Sequence, residues 1–180
     1  YDPQRARQLL AAAGYGAGRR PRLVYSTSGN PFRVRIAAVI RQQLQDVGFD
    51  VELRPADWAT FFGDVREGRF QMFGLSWVAL RMPDVFRYAF HSQSLPPAGA
   101  NRGGYASPRV DALIEAAEAE PELSARAPRY AAIARALVDD LPIVPLWYED
   151  QVLARSTAVR GYALDGDGSY DGLASASLGR

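Results

Sequence analysis

The chain has 180 residues and a mass of 19.7 kDa, is 48% hydrophobic and 23% charged, and carries 16 Gly and 12 Pro. Those proportions are globular and exclude a disordered tail, a collagen or a coiled coil. Formal charge is +1, every cation is Arg, and Cys is absent. There is therefore no disulfide framework, no thiolate metal site and no thiol nucleophile, and a balance this near neutral exerts no global pull on nucleic acid. No apolar run approaches the ~18 residues of a membrane span. The first residues, Tyr1-Asp2-Pro3-Gln4, include no initiator Met and no basic-then-apolar leader, so either a leader was removed or the chain is a piece of something larger.

Helix punctuation is clear. Asp2 followed by Pro3 reads as an N-cap and first helical residue, with Leu9 and Leu10 on the apolar side and Gly14 as the stop. A short apolar strand, Leu23 to Ser26, follows. Asn30-Pro31 repeats the capping device before Ile36, Ile40, Leu44 and Val47, and Gly48 ends that helix. Phe49, Val51 and Leu53 then alternate with Asp50, Glu52 and Arg54, as in a half-buried strand. Asp57 opens a helix with Trp58, Phe61, Phe62 and Val65 spaced i, i+3, i+4 and i+7, closed by Gly68.

Phe70 to Trp77 is almost continuously apolar and is expected to be a central strand. Residues 78–106 are rich in Pro, Gly, Ser and Asn and read as a long connection with at most a short helix near Pro83–Ala89. Ser107-Pro108 opens another helix, and a longer one is expected from near Arg126 to Asp140. Ile143 to Tyr148 and Val152 to Ala154 read as two more strands. The alternation across 22–77 gives an α/β class, with a mixed or parallel sheet covered by helices.

Enzyme signatures are mostly missing. One His, His91, cannot build a two-His zinc site, no G-x-S-x-G elbow is present, and a phosphate-binding loop needs the Lys that this chain lacks. Asp165-Gly-Asp167-Gly-Ser169-Tyr-Asp171 begins like a calcium loop but has Tyr170 where Gly is required and Ala176 where the bidentate Glu belongs. His91 reads as a hydrogen-bonding loop residue. Eight Arg against one acid in residues 1–41 read as solvated helix and loop faces, with a basic nucleic-acid face as the alternative.

The remaining chemistry is aromatic. Trp58, Trp77, Trp147 and Tyr148 fall at element ends, and ligands of open α/β sheets bind beyond the carboxyl ends of the strands. Trp77, which runs into the long polar connection, and the Trp147-Tyr148 pair are therefore candidates for a cleft wall, against the alternative of core packing.

Taken in order, these segments resemble the C-terminal part of the extracellular solute-binding proteins of the oligopeptide/dipeptide class, which serve ABC importers. The opening is similar to that family's Y-D-P-x-x-A-x-x-L-L-x-x-A-G-Y segment, running from Tyr1-Asp2-Pro3 through Leu9-Leu10 to Ala13-Gly14-Tyr15. Ile40 to Leu44 with Val47-Gly48-Phe49 matches its helix-to-strand step, and Trp58, Phe61, Gly68, Phe70 and Trp77 match its W-x-x-F-x(n)-G-x-F-x(n)-W spacing. Pro83-Asp84, Asn101 to Tyr105, Val110 to Ile114, Asp140 to Trp147 and Val159 to Tyr162 complete the run.

The resemblance implies one lobe of a two-lobed, type 2-like periplasmic binding protein. Residues 1–180 would form a single α/β lobe, and 155–180 would be a return segment toward the hinge or the other lobe. It implies capture of a peptide, peptide-like or other small solute without catalysis or cofactor, with an N-terminal lobe and the membrane subunits of an ABC permease as partners. The expected location is the periplasmic or extracellular face of the membrane. The implied ligand-binding residues are Trp77, Val78, Leu80 and Arg81, with Trp147 and Tyr148. Peptide-specific members place Asp where this chain has Leu80, and oligopeptide binders carry Arg where it has Val65 and Gly74. A buried amine without a carboxylate is costly, so the usual free-amine pose is not expected. Arg81 could instead grip a carboxylate or phosphate, or be a solvated loop residue. The alternatives from other classes are a small hydrolase or transferase using Asp/Glu with His91, and an interaction domain using the Arg-rich face.

Overall fold

The structure, a computed structural model, describes residues 1–16, 18–77 and 82–179. It divides into two compact units, Tyr1–Leu75 and Ser76–Arg180.

In the first unit the capping residues act as their spacing predicts. Helix α1 (Pro3–Ala12) starts where Asp2 accepts a hydrogen bond from the Arg5 amide at 2.8 Å. Strand β1 (Arg22–Ser28) leads to α2 (Pro31–Val47), whose first amides, Phe32 and Arg33, donate to the Asn30 side chain. Gly48 closes α2 at φ +123°, a conformation in which a side chain is strained. Strand β2 (Asp50–Ala56) is followed by α3 (Trp58–Arg66), capped by Asp57 accepting from the Thr60 amide at 3.0 Å, and then by β3 (Met72–Phe73).

The sheet order is β2-β1-β3, all parallel, with Arg22 to Ser28 in register with Asp50 to Ala56 and Tyr25-Ser26 beside Met72-Phe73. The chain crosses from β1 to β2 on one side and returns through α3 to the other side of β1. The reversal makes β1/β3 a topological switch point. Tyr25, Ala37 and Val51 form the buried centre, packed by Leu23, Ile40, Leu44, Phe49, Leu53 and Met72. On α3, Phe61 and Val65 are buried, while Trp58 stays exposed and stacks on Phe62 at 5.3 Å.

The second unit is helical, then irregular. It holds α4 (Val85–Phe90), α5 (Pro108–Glu118) and α6 (Leu123–Asp140), then an antiparallel pair, β4 (Val159–Arg160) with β5 (Ser177–Leu178), and a 3-10 turn, Asp171–Ser175. Val110, Ile114 and Ala117 of α5 bury against Ile133 and Ala136 of α6, with Phe86, Phe90, Tyr105 and Tyr130 around them. The Phe86 and Tyr130 rings stack at 5.7 Å.

Three expectations need correction. Residues 143–154 form no strand: Tyr148 is fully exposed, and among the described residues no strand lies beside them to supply backbone partners. The run from Phe70 to Trp77 pairs only at Met72-Phe73, and among the described residues it is an edge strand with β1 as its neighbour rather than a central one; Gly74, next in the chain, lies so close to the Tyr25 hydroxyl that an added β-carbon would meet it at 2.8 Å. Helix α6 begins at Leu123 rather than near Arg126. Glu122 accepts from the Ser124 amide and hydroxyl, and Pro128 falls early enough that the bond it forfeits is at the helix's first turns.

Candidate functional site

Trp77 lies four residues past β3, at the beginning of the second unit, and 39% of it is open to solvent. Tyr88 of α4 approaches it edge-to-face, with ring centroids 6.4 Å apart at 72°, and is itself 45% exposed. The guanidinium carbon of Arg102 sits 5.7 Å from the Trp77 ring centroid, inside the ~6 Å range of a cation–π contact. Two open aromatic rings and a fixed cation therefore converge at one place.

The loop that carries Arg102 is tightly held. The Ala100 amide donates to the Tyr88 carbonyl at 2.8 Å, which ties the loop to α4. Asn101 is 3% exposed, and its side-chain amide donates to the carbonyls of His91 (3.1 Å) and Tyr105 (2.7 Å) while its oxygen accepts from the Tyr105 amide (2.9 Å). His91 is 2% exposed; its Nδ1 accepts from the Gln93 amide at 3.2 Å, which leaves the ring proton on Nε2, facing Glu115 Oε1 at 3.3 Å. Buried and engaged at both nitrogens, His91 is a hydrogen-bonding loop residue, as its sequence context predicts.

Asp111 anchors the same loop to α5 by accepting from the Ser92 amide (2.9 Å) and hydroxyl (2.6 Å). Burial pushes its carboxyl upward, but the two Ser92 hydrogen bonds, with help from the Arg87 charge, outweigh that and hold it below the ordinary value. The Tyr105 hydroxyl is pushed above its usual value, first by burial and then by donating to Asp140.

Of the residues singled out in the sequence, Val78, Leu80 and Arg81 lie outside the described residues. Trp147 is 51% exposed and Tyr148 wholly so, and both fall in the irregular stretch after α6. Among the described residues no ring contact joins either of them to Trp77. Tyr88 and Arg102 were not anticipated as site residues. The available signal was the Asn101-to-Tyr105 spacing, which is the clamp that presents Arg102.

In the first unit, the carboxyl end of β1 buries Ser26, Thr27 and Ser28, and the capping side chains Asn30 and Asp57 stand at the ends of β1 and β2. The Asp57 carboxyl is held low, chiefly by the Thr60 hydroxyl and amide. Among the described residues no group of three His, Cys, Asp or Glu side chains could hold a metal ion, and no helix is long and apolar enough to cross a membrane. A shallow groove of about 330 Å³ on the solvent face of α6, lined by Ala134, Arg135, Val138 and Asp139, is not part of this constellation.

Comparison with known proteins agrees with the motif order. The periplasmic murein peptide-binding protein MppA of Escherichia coli is 28% identical over 163 residues, covering 89% of this chain and 29% of MppA. The structure of MppA superposes with a TM-score of 0.78 at 22% identity, over 99% of this chain and 35% of that one. The oligopeptide-binding protein AppA of Bacillus subtilis, solved in complex with a nonapeptide, gives 0.80 at 20% identity, over 100% of this chain and 38% of that one. The chain thus spans about a third of the length of the curated relatives it matches. Residues 1–95 match the profile of the bacterial extracellular solute-binding proteins, family 5 middle region, and that match is more than half of the chain. The α/β fold is that of these binding proteins, and the chain belongs to the family 5 bacterial extracellular solute-binding proteins.

Proposed function

We propose that the protein containing this chain captures a peptide, a peptide-like compound or another small solute and delivers it to the membrane subunits of an ABC importer, without catalysis. The observation that carries this reading is the family match across residues 1–95, joined to relatives named for peptide binding. The solute is held between two lobes, of which residues 1–180 contribute one, at the periplasmic or extracellular face of the membrane. Residues 155–180 return toward the hinge or the other lobe. The bare apolar side chains of 143–154 support this reading, since surface of that kind is usually covered by a partner.

Trp77, Val78, Leu80 and Arg81, with Trp147 and Tyr148, line the solute. Two local features set the kind of solute. Val65, where oligopeptide binders carry Arg, is fully buried in the first unit, and Gly74 abuts Tyr25, so neither position can present a charge. Leu80 in place of Asp offers no counter-charge to a free amine.

Titration calorimetry on the full-length protein tests the reading. Trp77→Ala is expected to leave Tm within a few degrees and to weaken solute binding at least tenfold, about 1.4 kcal/mol. Leu80→Asp is expected to improve capture of free-amine peptides. Turnover of an ester, peptide or glycoside that disappears in His91→Ala would replace this reading with the hydrolase one. Large destabilisation by Trp77→Ala with unchanged affinity would move Trp77 from the cleft wall to the core.

A further inference from the structure

We infer that Tyr88 contacts the solute and that, with Trp77, it forms an aromatic corner selecting solutes that carry an aromatic side chain. The inference rests on the solute-capture reading above and adds a contact residue and the kind of side chain the site takes.

Three observations within the second unit support it. First, the aromatic residues of α4 have two different uses. Phe86 and Phe90, one turn apart, pack on the α5–α6 core, where Phe86 stacks on Tyr130. Tyr88 stands about 200° round the helix from Phe86, so that core does not claim it. Its ring is 45% exposed and is directed at Trp77.

Second, the two rings lie 6.4 Å apart at 72°, an edge-to-face pair, and both stay open to solvent. Rings so inclined make a corner. A third ring entering it can lie offset on one wall while turning its edge to the other, and these are the two arrangements that aromatic pairs favour. An aliphatic chain of equal area gains burial there but neither ring contact.

Third, the corner is held before any solute arrives. On the Tyr88 side, the Arg87 guanidinium donates to both carboxylate oxygens of Glu118 on α5, at 2.9 and 2.7 Å. The Tyr88 carbonyl accepts from the Ala100 amide at 2.8 Å, and the His91 carbonyl at the end of α4 accepts from the Asn101 side chain at 3.1 Å. On the other side, Arg102 lies over the Trp77 indole, 5.7 Å from its centroid. Walls already ordered by the fold do not have to be ordered by the solute. A Tyr88 that merely shields Trp77 would leave binding indifferent to whether a solute's apolar side chain is aromatic.

The full-length protein, stripped of bound material by unfolding and refolding, is incubated with a tryptic casein digest, washed and denatured. The released peptides are quantified by mass spectrometry against the starting digest. Peptides containing Phe, Tyr or Trp are compared with aliphatic peptides of equal length and equal reversed-phase retention, so hydrophobicity alone gives a ratio of one. The ligand-free Tm reads folding of each variant. The wild-type protein should enrich the aromatic peptides by about fivefold or more. Tyr88→Leu, which keeps apolar bulk without a ring, should bring the ratio close to one, and Tyr88→Phe, which restores the ring, should recover most of the enrichment. Tyr88→Gln, suited to an exposed helix position, carries the test if the leucine variant does not fold. A wild-type ratio near one, an unchanged ratio in the variant without a ring, equal loss of both peptide classes, or no recovery with phenylalanine would overturn the assignment of Tyr88 while leaving solute capture standing. Retention of no peptide by the wild-type protein would overturn the peptide reading itself, and this inference with it.

Discussion

Helices α5 and α6 bury Val110, Ile114, Ile133 and Ala136 against one another, whereas Ile143, Val144, Leu146 and Val152, only a few residues further on, remain between 45% and 88% exposed. Both stretches are apolar enough to read as regular elements. The difference lies in where each finds its hydrogen-bond partners. A helix pairs its backbone within itself and needs only a neighbour for its apolar stripe, which α5 and α6 provide across a turn held by Arg129 and Glu120 at 2.6 Å. A strand must borrow the backbone of another strand, and among the described residues of the second unit none lies beside 143–154. An apolar stretch therefore becomes an element only where its cover is available.

The largest expected effect sharpens this contrast at its centre. Ile133→Ala, in a side chain with no exposed surface, should cost about 2–5 kcal/mol in a denaturant melt. Val152→Ala should change stability of this chain by less than about 0.5 kcal/mol. Comparable costs for the two would break the contrast. If the remainder of the protein covers 143–154, Val144→Ala should cost more in the full-length protein than in this chain.

Next in size is Asn101→Ala, which orphans the buried carbonyl of His91 and the amide of Tyr105 and should cost about 1–3 kcal/mol for each group left unpaired. The loss would confirm that the loop presenting Arg102 is held by this clamp; a Tm unchanged within error would deny it.

Asp111 gives a pH test of the same loop. Its carboxyl titrates lower in the folded chain than the ordinary aspartate near 3.9, so its stabilising contribution is complete above that value and disappears as pH falls through the folded value. Tm measured from pH 6 to pH 2 should fall less steeply at the acid end in Asp111→Asn than in the wild type. Identical acid slopes would show that Asp111 does not hold Ser92 in the way its geometry indicates.

The smallest effect is at the end of α6, where Leu141 adopts φ +46°. Leu141→Gly removes a left-handed strain and should raise stability by about 0.5–1 kcal/mol, unless burial of the Leu141 side chain elsewhere in the full protein outweighs it.

Much of the architecture was legible locally. Asp2-Pro3, Asn30-Pro31, Asp57 and Ser107-Pro108 each start a helix, because a capping oxygen and the amides it serves lie within three residues of one another in the chain. The parallel pairing of β1 with β2 follows from the strand–helix–strand order, and the family from the order of short motifs. What only the tertiary structure decided concerns groups far apart in sequence. The close approach of Tyr25 to Gly74 depends on β1 lying beside β3, the bare state of 143–154 on the absence of a neighbouring strand among the described residues, and the meeting of Trp77, Tyr88 and Arg102 on a buried clamp through Asn101 and His91. Sequence spacing specifies bonds that close within a turn or two. Contacts between residues 11 to 49 positions apart depend on how the packed elements bring them together, and in this chain they include the cation at the candidate site.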